Sequence, residues 1–548
     1  MDDRSSSRLK VWTPLLFSLI MIFGMVLGFN LRDSLRRKRD IQTVIERNDR
    51  LEQIIDLVSE KYVDSVNTNT LYKDAVDGIL SQLDPHTVYI TADELQSINE
   101  DLEGSFFGIG VEFSILRDTI QVTSVVQDGP AQRAGVDIGD QLIKVEDSIV
   151  AGTGITSERI IKMLRGKEHS KVLVTLKSPS RDSLKKVIIE RASIPLYSVE
   201  ANILLNDTTG YIKINRFSAT TYDEFFKALK ALQTKGIKSL VLDLRQNPGG
   251  YLEGATKIAD EFLSGEKLVV YTKGRRSPRI EYKTESQGIF EDGRLAILVD
   301  ESSASASEIL AGAVQDWDRG VVVGRRTYGK GLVQEQYDMK DGSALRLTIA
   351  RYYTPSGRSI QRPYSKGKDL YARDFTHRFE TGELTGYDTV HLNQDTVTYF
   401  TSRKRPVFGG GGINPDVYVP YDTLKFNSRL LTLIFSEHTR NFLWDYFLRN
   451  RTALKEFKDI ETFKENFKAD ELLKKFYESA VNKDEQIFRK ILSNTESRAY
   501  FELQMKAQLA RFLFRNNGFY AVSVQGDKMV QRAQKILSNS NYSTVIGR

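Results

Sequence analysis

Three serines, Ser303, Ser305 and Ser307, alternate through the run SSASASE (302–308), and Lys330 lies between Gly329 and Gly331 in GRRTYGKGLVQ. A serine hydroxyl attacks a carbonyl only when a neighbouring group takes its proton, and an amine can do so only when uncharged. The two segments hold the parts of an acyl-transfer site if folding brings them together and buries the lysine, because burial disfavours the ammonium form. Each unit by which its pKa falls corresponds to about 1.4 kcal/mol of differential destabilisation of the cation. Leu332 and Val333 supply an apolar setting. In an extended segment Lys330 and Gln334 fall on one side, where Gln334 can hold the amine without adding charge.

Taken singly, each motif has a plainer reading. ASASE opening a helix can be small residues that allow close packing, with Ser305 as an N-cap. Gly324, Gly329 and Lys330 satisfy the phosphate-loop pattern G-x-x-x-x-G-K, but Gly331 stands where Ser or Thr would hold magnesium, and LVQEQY has strand rather than helix character. Other chemistries are poorly supplied. The chain has no cysteine, so disulfides, thiolate nucleophiles and cysteine-bound zinc are excluded. Its five histidines, His86, His169, His377, His391 and His438, show no metal-ligand spacing, so neither a metal nor an organic cofactor is expected. His86 sits in LDPHT without a G-x-S-x-G nucleophile motif, and Asp243 in LVLDLR reads as a hydrogen-bonding strand end rather than a triad acid. The formal charge of +6, from 78 basic and 72 acidic residues, gathers near the N-terminus and suggests no nucleic-acid face.

The 548 residues exceed one hydrophobic core, so several domains must position these parts. Residues 40 to about 103 look helical, with Leu51, Ile54, Ile55 and Val58 at spacings of three and four and LYKDAVDGILSQLD ending at Pro85. From Gly104 to about Arg191, short β-branched runs (IQVTSVV, DQLIKV, KVLVTL, KKVIIE) surround one helical stretch, TSERIIKMLRG, as in a small β-rich module. From Ile194 to about Tyr421, strands such as SLVLDL and LAILVD alternate with helices, which argues an α/β core. Beyond Tyr421, Phe457, Ile460, Phe463 and Phe467 recur at helical spacing.

At the N-terminus, Val11 to Phe29 is uncharged and long enough to cross a bilayer core. With no small-x-small cleavage site before Asn30, it reads as an uncleaved signal anchor. Arg32, Arg36, Arg37, Lys38 and Arg39 outnumber Arg4, Arg8 and Lys10, which by the positive-inside rule would leave the body cytoplasmic.

Two family resemblances bear on these parts. SFFGIGVEF, then GPAQRAGVDIGDQLIKVED and a helix ending in LRG, resembles a PDZ domain. The resemblance implies that Phe107, Gly108, Ile109 and Gly110 form a loop whose N–H groups face a terminal carboxylate, while the peptide adds as a strand beside it. Ile109, Val111, Ile160 and Leu164 would line the pocket for its last side chain, and Arg165 could couple this module to the core. SSASASE with GRRTYGKGLVQ, accompanied by LSQLDPHTVYI, GYIKINRFS, LVLDLRQNPGG, LRLTIARYYTPSGRSIQ and GGGGINPDV, resembles the C-terminal processing peptidases, the Ser/Lys peptidases of family S41, from about residue 50 to 420. In that family's spacing of 25 positions the nucleophile falls on Ser305 and the general base on Lys330, with Gln334 as the residue that orients the amine. Oxyanion donors would be the N–H of Ala306 and, from the NPGG turn, Gly250, with Gly249 left open.

The expected architecture is multidomain α+β: an N-terminal tail (1–10), a transmembrane anchor (11–31), a helical arm (32–103), a PDZ domain (104–192), a crotonase-like α/β peptidase core (193–420) and a helical C-terminal domain (421–548). The resemblance implies an exported body, hence a single-pass inner-membrane protein with its catalytic part periplasmic, cleaving proteins near their C-termini. Helical flanks leave room for a homodimer or an adaptor protein. The competing function is a catalytically silent, membrane-tethered PDZ scaffold that binds protein tails.

Overall fold

A computed structural model describes residues 50–179, 183–386, 397–422, 427–480, 483–539 and 542–547. The expected anchor, Val11 to Phe29, lies outside them, and among the described residues no helix is long and apolar enough to cross a membrane. The chain divides into two compact units, one ending at Leu83 and one running from Asp84 to Arg548. In the first, helices Arg50–Lys61 and Thr68–Ser81 follow one another, the second capped by Asn67, whose side chain accepts from Thr70 N.

The second unit is built around a six-stranded sheet. Its order is Val199–Asn206, Thr209–Ile214, Ser239–Asp243, Arg294–Val299, Val321–Gly324 and Val417–Tyr418, the first pair antiparallel and the rest parallel. Alternation sorts its residues between two cores. Ile212, Leu240, Leu242, Leu295, Ile297 and Val322 face helices Thr221–Gln233, Leu252–Asp260 and Ala306–Asp316, while Tyr211, Val241, Ala296, Leu298, Val321 and Val323 face the other way. Burial on both faces is why these strands read as unbroken apolar runs.

That second face is covered by helix Lys528–Ser538 through Met529, Val530, Ala533, Ile536 and Leu537. The expectation of one helical C-terminal domain over 421–548 is therefore corrected. Helices from Ser428 to within Thr495–Ser523 form their own aromatic core around Trp444, Phe463, Phe476 and Phe501, whereas the last helices complete the α/β layer. Helical periodicity marks an apolar face but not its partner.

A second sheet carries Val88–Ile90, Ala344–Tyr353, Leu268–Lys273 and Ile280–Lys283 in order, with Leu332–Asp338 also paired to Ala344–Tyr353. The strand Val88–Ile90 corrects the reading of 32–103 as wholly helical; three residues are too few to show alternation. The β-rich module orders Val111–Leu116, Thr119–Val125, Gln141–Val145, Lys171–Lys177 and Leu184–Glu190, closed below by Ser105–Gly108 paired with Ala192–Pro195.

Candidate active site

The run SSASASE follows strand Arg294–Val299 and enters helix Ala306–Asp316 through a sharp turn. Ser305 has φ +54° and ψ −114°, a conformation that costs about 1–3 kcal/mol in a residue with a side chain and persists only where the surroundings enforce it. Here they do: Ser305 N donates to Glu308 Oε2 at 2.9 Å, Ser305 O accepts from Ile309 N at 3.0 Å, and Ala304 N donates to Asn247 O at 3.0 Å. The geometry also separates the three serines. Ser303 and Ser307 are fully buried, their hydroxyls donating to Leu244 O at 2.8 Å and Asn247 O at 3.0 Å, whereas Ser305 stays partly exposed.

Lys330 ends the loop that leads into Leu332–Asp338, and its Nζ donates to Gln334 Oε1 at 3.0 Å. Gln334 Nε2 in turn donates to the backbone carbonyl of His86. Burial, and next the Arg346 guanidinium, pull Lys330 below the ordinary lysine value of 10.5, against the opposing pull of Glu308 and Asp84. His86 is held neutral, its pKa lowered to about 4 by burial and by Lys330, with Nε2 2.8 Å from the Tyr371 hydroxyl. Asp84 holds this corner by accepting from His86 N, Thr87 N and Thr348 Oγ1 at 2.9, 3.0 and 3.0 Å.

Glu308 is a site residue that the sequence reading missed. Fully buried, its carboxylate accepts from Ser305 N and Lys330 N on one oxygen and from Thr327 Oγ1 and Gly329 N on the other. Burial raises its pKa, while these donors oppose that rise. Tyr352 adds a second clasp: its hydroxyl donates to Lys330 O and lies within hydrogen-bonding reach of the Ser305 side chain. Among the described residues no hydrogen bond joins Ser305 Oγ to Lys330 Nζ; Glu308 joins the two segments through their backbone N–H groups, and Tyr352 holds the Lys330 backbone carbonyl.

The NPGG turn packs directly on Ser305. A Cβ on Gly249 would sit 2.7 Å from Ser305 Cβ, and one on Gly250, at φ +144°, only 2.0 Å from Phe217 O, so both positions require glycine. Gly249 N is already spent on Asn247 Oδ1 at 2.9 Å. Among the described residues the N–H groups of Gly250 and Ala306 have no intramolecular acceptor. Asp243 takes no part. Burial opposes its charge, but Arg245 and Lys213 outweigh that and keep it ionised, and it accepts from the Tyr211 hydroxyl at 2.7 Å.

Comparison with known proteins gives this arrangement a family. The description "Peptidase family S41" matches residues 208–367, "PDZ domain" residues 95–177, "Activating protease CtpB N-terminal domain" residues 29–94, and a family of unknown function residues 430–515. A probable CtpA-like serine protease of Staphylococcus haemolyticus is 34% identical over 357 residues, covering 65% of this chain and 70% of its own length. A protein of the same description from Staphylococcus aureus (strain MRSA252) is 36% identical over 313 residues, 57% of this chain and 62% of its own. The solved photosystem II D1 C-terminal processing protease is 28% identical, covering 56% of this chain and 82% of that one with a TM-score of 0.32. The chain belongs to the S41 peptidases. Within them it is a PDZ-containing serine peptidase of the C-terminal processing type.

In this S41 peptidase the predicted PDZ residues divide. The expected loop of Phe107 to Gly110 is shorter: Phe107 and Gly108 pair with Ser193 and Ala192 in strand Ser105–Gly108, which leaves Ile109 and Gly110 as the loop ahead of strand Val111–Leu116 at the edge of its sheet. Ile109, Ile160 and Leu164 are buried together in the PDZ core, with Val111 packed against them. They belong to the core, while Phe107 and Ile161 nearby in sequence are exposed. Arg165, expected to couple this module to the core, reaches out of it: its Nη1 donates to Glu100 Oε2 at 2.6 Å and its guanidinium lies 4.2 Å from the centre of the Phe106 ring.

Proposed function

We propose that this peptidase hydrolyses polypeptides near their C-termini through an acyl-enzyme on Ser305, with Lys330 as general base. The observation that carries the reading is the half-buried Lys330 amine, whose described side-chain hydrogen bond goes to the neutral amide of Gln334. Burial without a carboxylate partner favours the uncharged amine that proton abstraction needs. In the reaction, Nζ takes the proton of Ser305 Oγ as the oxygen attacks the scissile carbonyl. The developing oxyanion is met by the N–H groups of Gly250 and Ala306, which need no reorganisation at that moment. The lysine then returns the proton to the leaving amine. A water molecule, deprotonated by the same amine, attacks the ester carbonyl, and the ammonium returns that proton to Ser305 Oγ as the acyl–oxygen bond breaks. Gln334, held by the His86 carbonyl, orients Nζ throughout.

The PDZ domain supports selection of substrate ends, since an edge strand beside a glycine loop suits a chain terminus. The uncharged Val11 to Phe29 stretch supports a single-pass anchor; export of the body rests on the family likeness against the basic run after the stretch, fusion of a reporter enzyme active only after export tests it, and an inactive reporter refutes it.

Digestion of casein and of tail-bearing model peptides by the full chain tests the chemistry. The parent cleaves and forms a covalent adduct with a serine-directed acylating agent on Ser305. Ser305→Ala abolishes both, and Lys330→Ala abolishes cleavage. Undiminished cleavage by Ser305→Ala overturns the proposal.

A further inference from the structure

The helices after Ser428 also pack against the PDZ sheet. Along strand Val111–Leu116, Val111, Phe113 and Ile115 turn into the PDZ core, whereas Leu116 joins the aromatic helical core. Glu112 lies 3.6 Å from Arg511, Gln121 Oε1 accepts from Trp444 Nε1 at 3.4 Å, and Val125 O accepts from an Arg515 amine at 2.9 Å. Between the two surfaces is an open cavity of about 350 Å³ beside the edge strand. Arg440, Arg511 and Arg515 line it, and Glu112 is the one carboxylate among its lining residues.

A segment pairing with that edge must keep the sheet's alternation. If its terminal carboxylate sits at Phe107 to Gly110 and its last side chain points toward helix Ser157–Leu164, then the side chains one and three residues earlier point the other way. That way lies the arginine-lined cavity. We propose that the PDZ sheet and the C-terminal helices form a composite cleft that selects acidic side chains at the first and third positions before a substrate's C-terminus. The inference rests on the reading that the PDZ domain captures chain ends, and it gives the helices after Ser428 a role in specificity.

The test is fluorescence polarisation with the full chain carrying Ser305→Ala, which holds peptides without cleaving them. Labelled peptides end in an apolar residue and carry Glu, Ala or Lys at both positions. The expected order is Glu tighter than Ala tighter than Lys, with about tenfold between the extremes, as two partly exposed ion pairs allow. High salt should remove the difference. The pair Arg440→Glu and Arg511→Glu should reverse the order of the Glu and Lys peptides. Equal Kd for all three peptides, with binding still abolished by C-terminal amidation, overturns the composite cleft and leaves tail capture standing. Amidation without effect overturns tail capture itself, and this inference falls with it.

Discussion

The backbone N–H groups of Ser305 and Lys330 donate to one and the same oxygen, Glu308 Oε2, each at 2.9 Å. Two segments that meet only in the folded chain are thereby held in register by a carboxylate that touches neither reacting atom. All four groups at this carboxylate are donors, since Thr327 Oγ1, which also accepts from Ile413 N, directs its proton to Glu308. An amide there must turn its NH₂ toward donors. Glu308→Gln is therefore expected to leave buried N–H groups unsatisfied, at about 1–3 kcal/mol each, and to lower kcat by at least about a hundredfold through misplacement of Ser305 and Lys330. Glu308→Asp, shorter but still accepting, should recover part of kcat. Thermal denaturation and single-turnover kinetics read both effects; a Gln variant with parental kcat would remove Glu308 from the positioning apparatus.

Arg346 offers a test of Lys330 through pH. Its guanidinium is the second cause, after burial, of the lowered lysine pKa. In the proposed chemistry the active form is the neutral amine, so activity should rise as pH rises through that pKa. Removing a nearby cation lets the ammonium form persist to higher pH. Arg346→Gln should move the ascending limb of kcat/KM to more alkaline pH, and Arg346→Lys should restore it. Burial and Lys330 lower the His86 pKa to about 4; His86→Gln, whose backbone carbonyl still receives Gln334, should leave the limb where it is. An unmoved limb in Arg346→Gln sinks the assignment of Lys330 as the titrating base.

The glycine turn separates two kinds of damage. A methyl at position 250 meets the Phe217 carbonyl at 2.0 Å and must displace backbone, while one at 249 meets Ser305 Cβ at 2.7 Å. Gly250→Ala should cost more than about 3 kcal/mol of stability together with its activity. Gly249→Ala should lose most activity for a smaller loss of stability, seen by comparing denaturant midpoints with acylation rates. Equal stability losses would mean that the two positions do not differ as the backbone implies.

Much of this was legible because burial on both faces makes strands such as LAILVD continuous and apolar, and because Ser305, Lys330 and Gln334 stand in short motifs. The supporting shell was not. Asp84, Glu308, Arg346 and Tyr352 all lie inside stretches that the resemblance had marked, yet their roles depend on contacts between distant segments, as when Asp84 meets Thr348. His86 was weighed as a base through its side chain, whereas its backbone carbonyl is what reaches Gln334. Gly250 was separable from Gly249 only once Asn247 Oδ1 was seen to occupy the latter's N–H.

Arg165 connects the PDZ helix to this turn through one intervening helix. Glu100, its partner, lies on Ala92–Glu103; the next residue, Asp101, accepts from Arg216 at 2.7 Å, and Leu102 O accepts from Ala219 N at 2.8 Å. Phe217, between them, donates to Gly249 O at 2.9 Å and accepts from Tyr251 N at 2.7 Å. A displacement of Arg165 on occupancy of the PDZ domain would therefore reach the oxyanion donors through backbone hydrogen bonds. Arg165→Ala is expected to lower kcat on tail-bearing substrates severalfold with the tail's Kd unchanged, and Glu100→Ala to do the same. Because both act through one pair, the double variant should be no worse than either alone. If the two effects instead multiply, Arg165 and Glu100 act independently, and the connection drawn from the PDZ helix to Gly250 is broken at its first link.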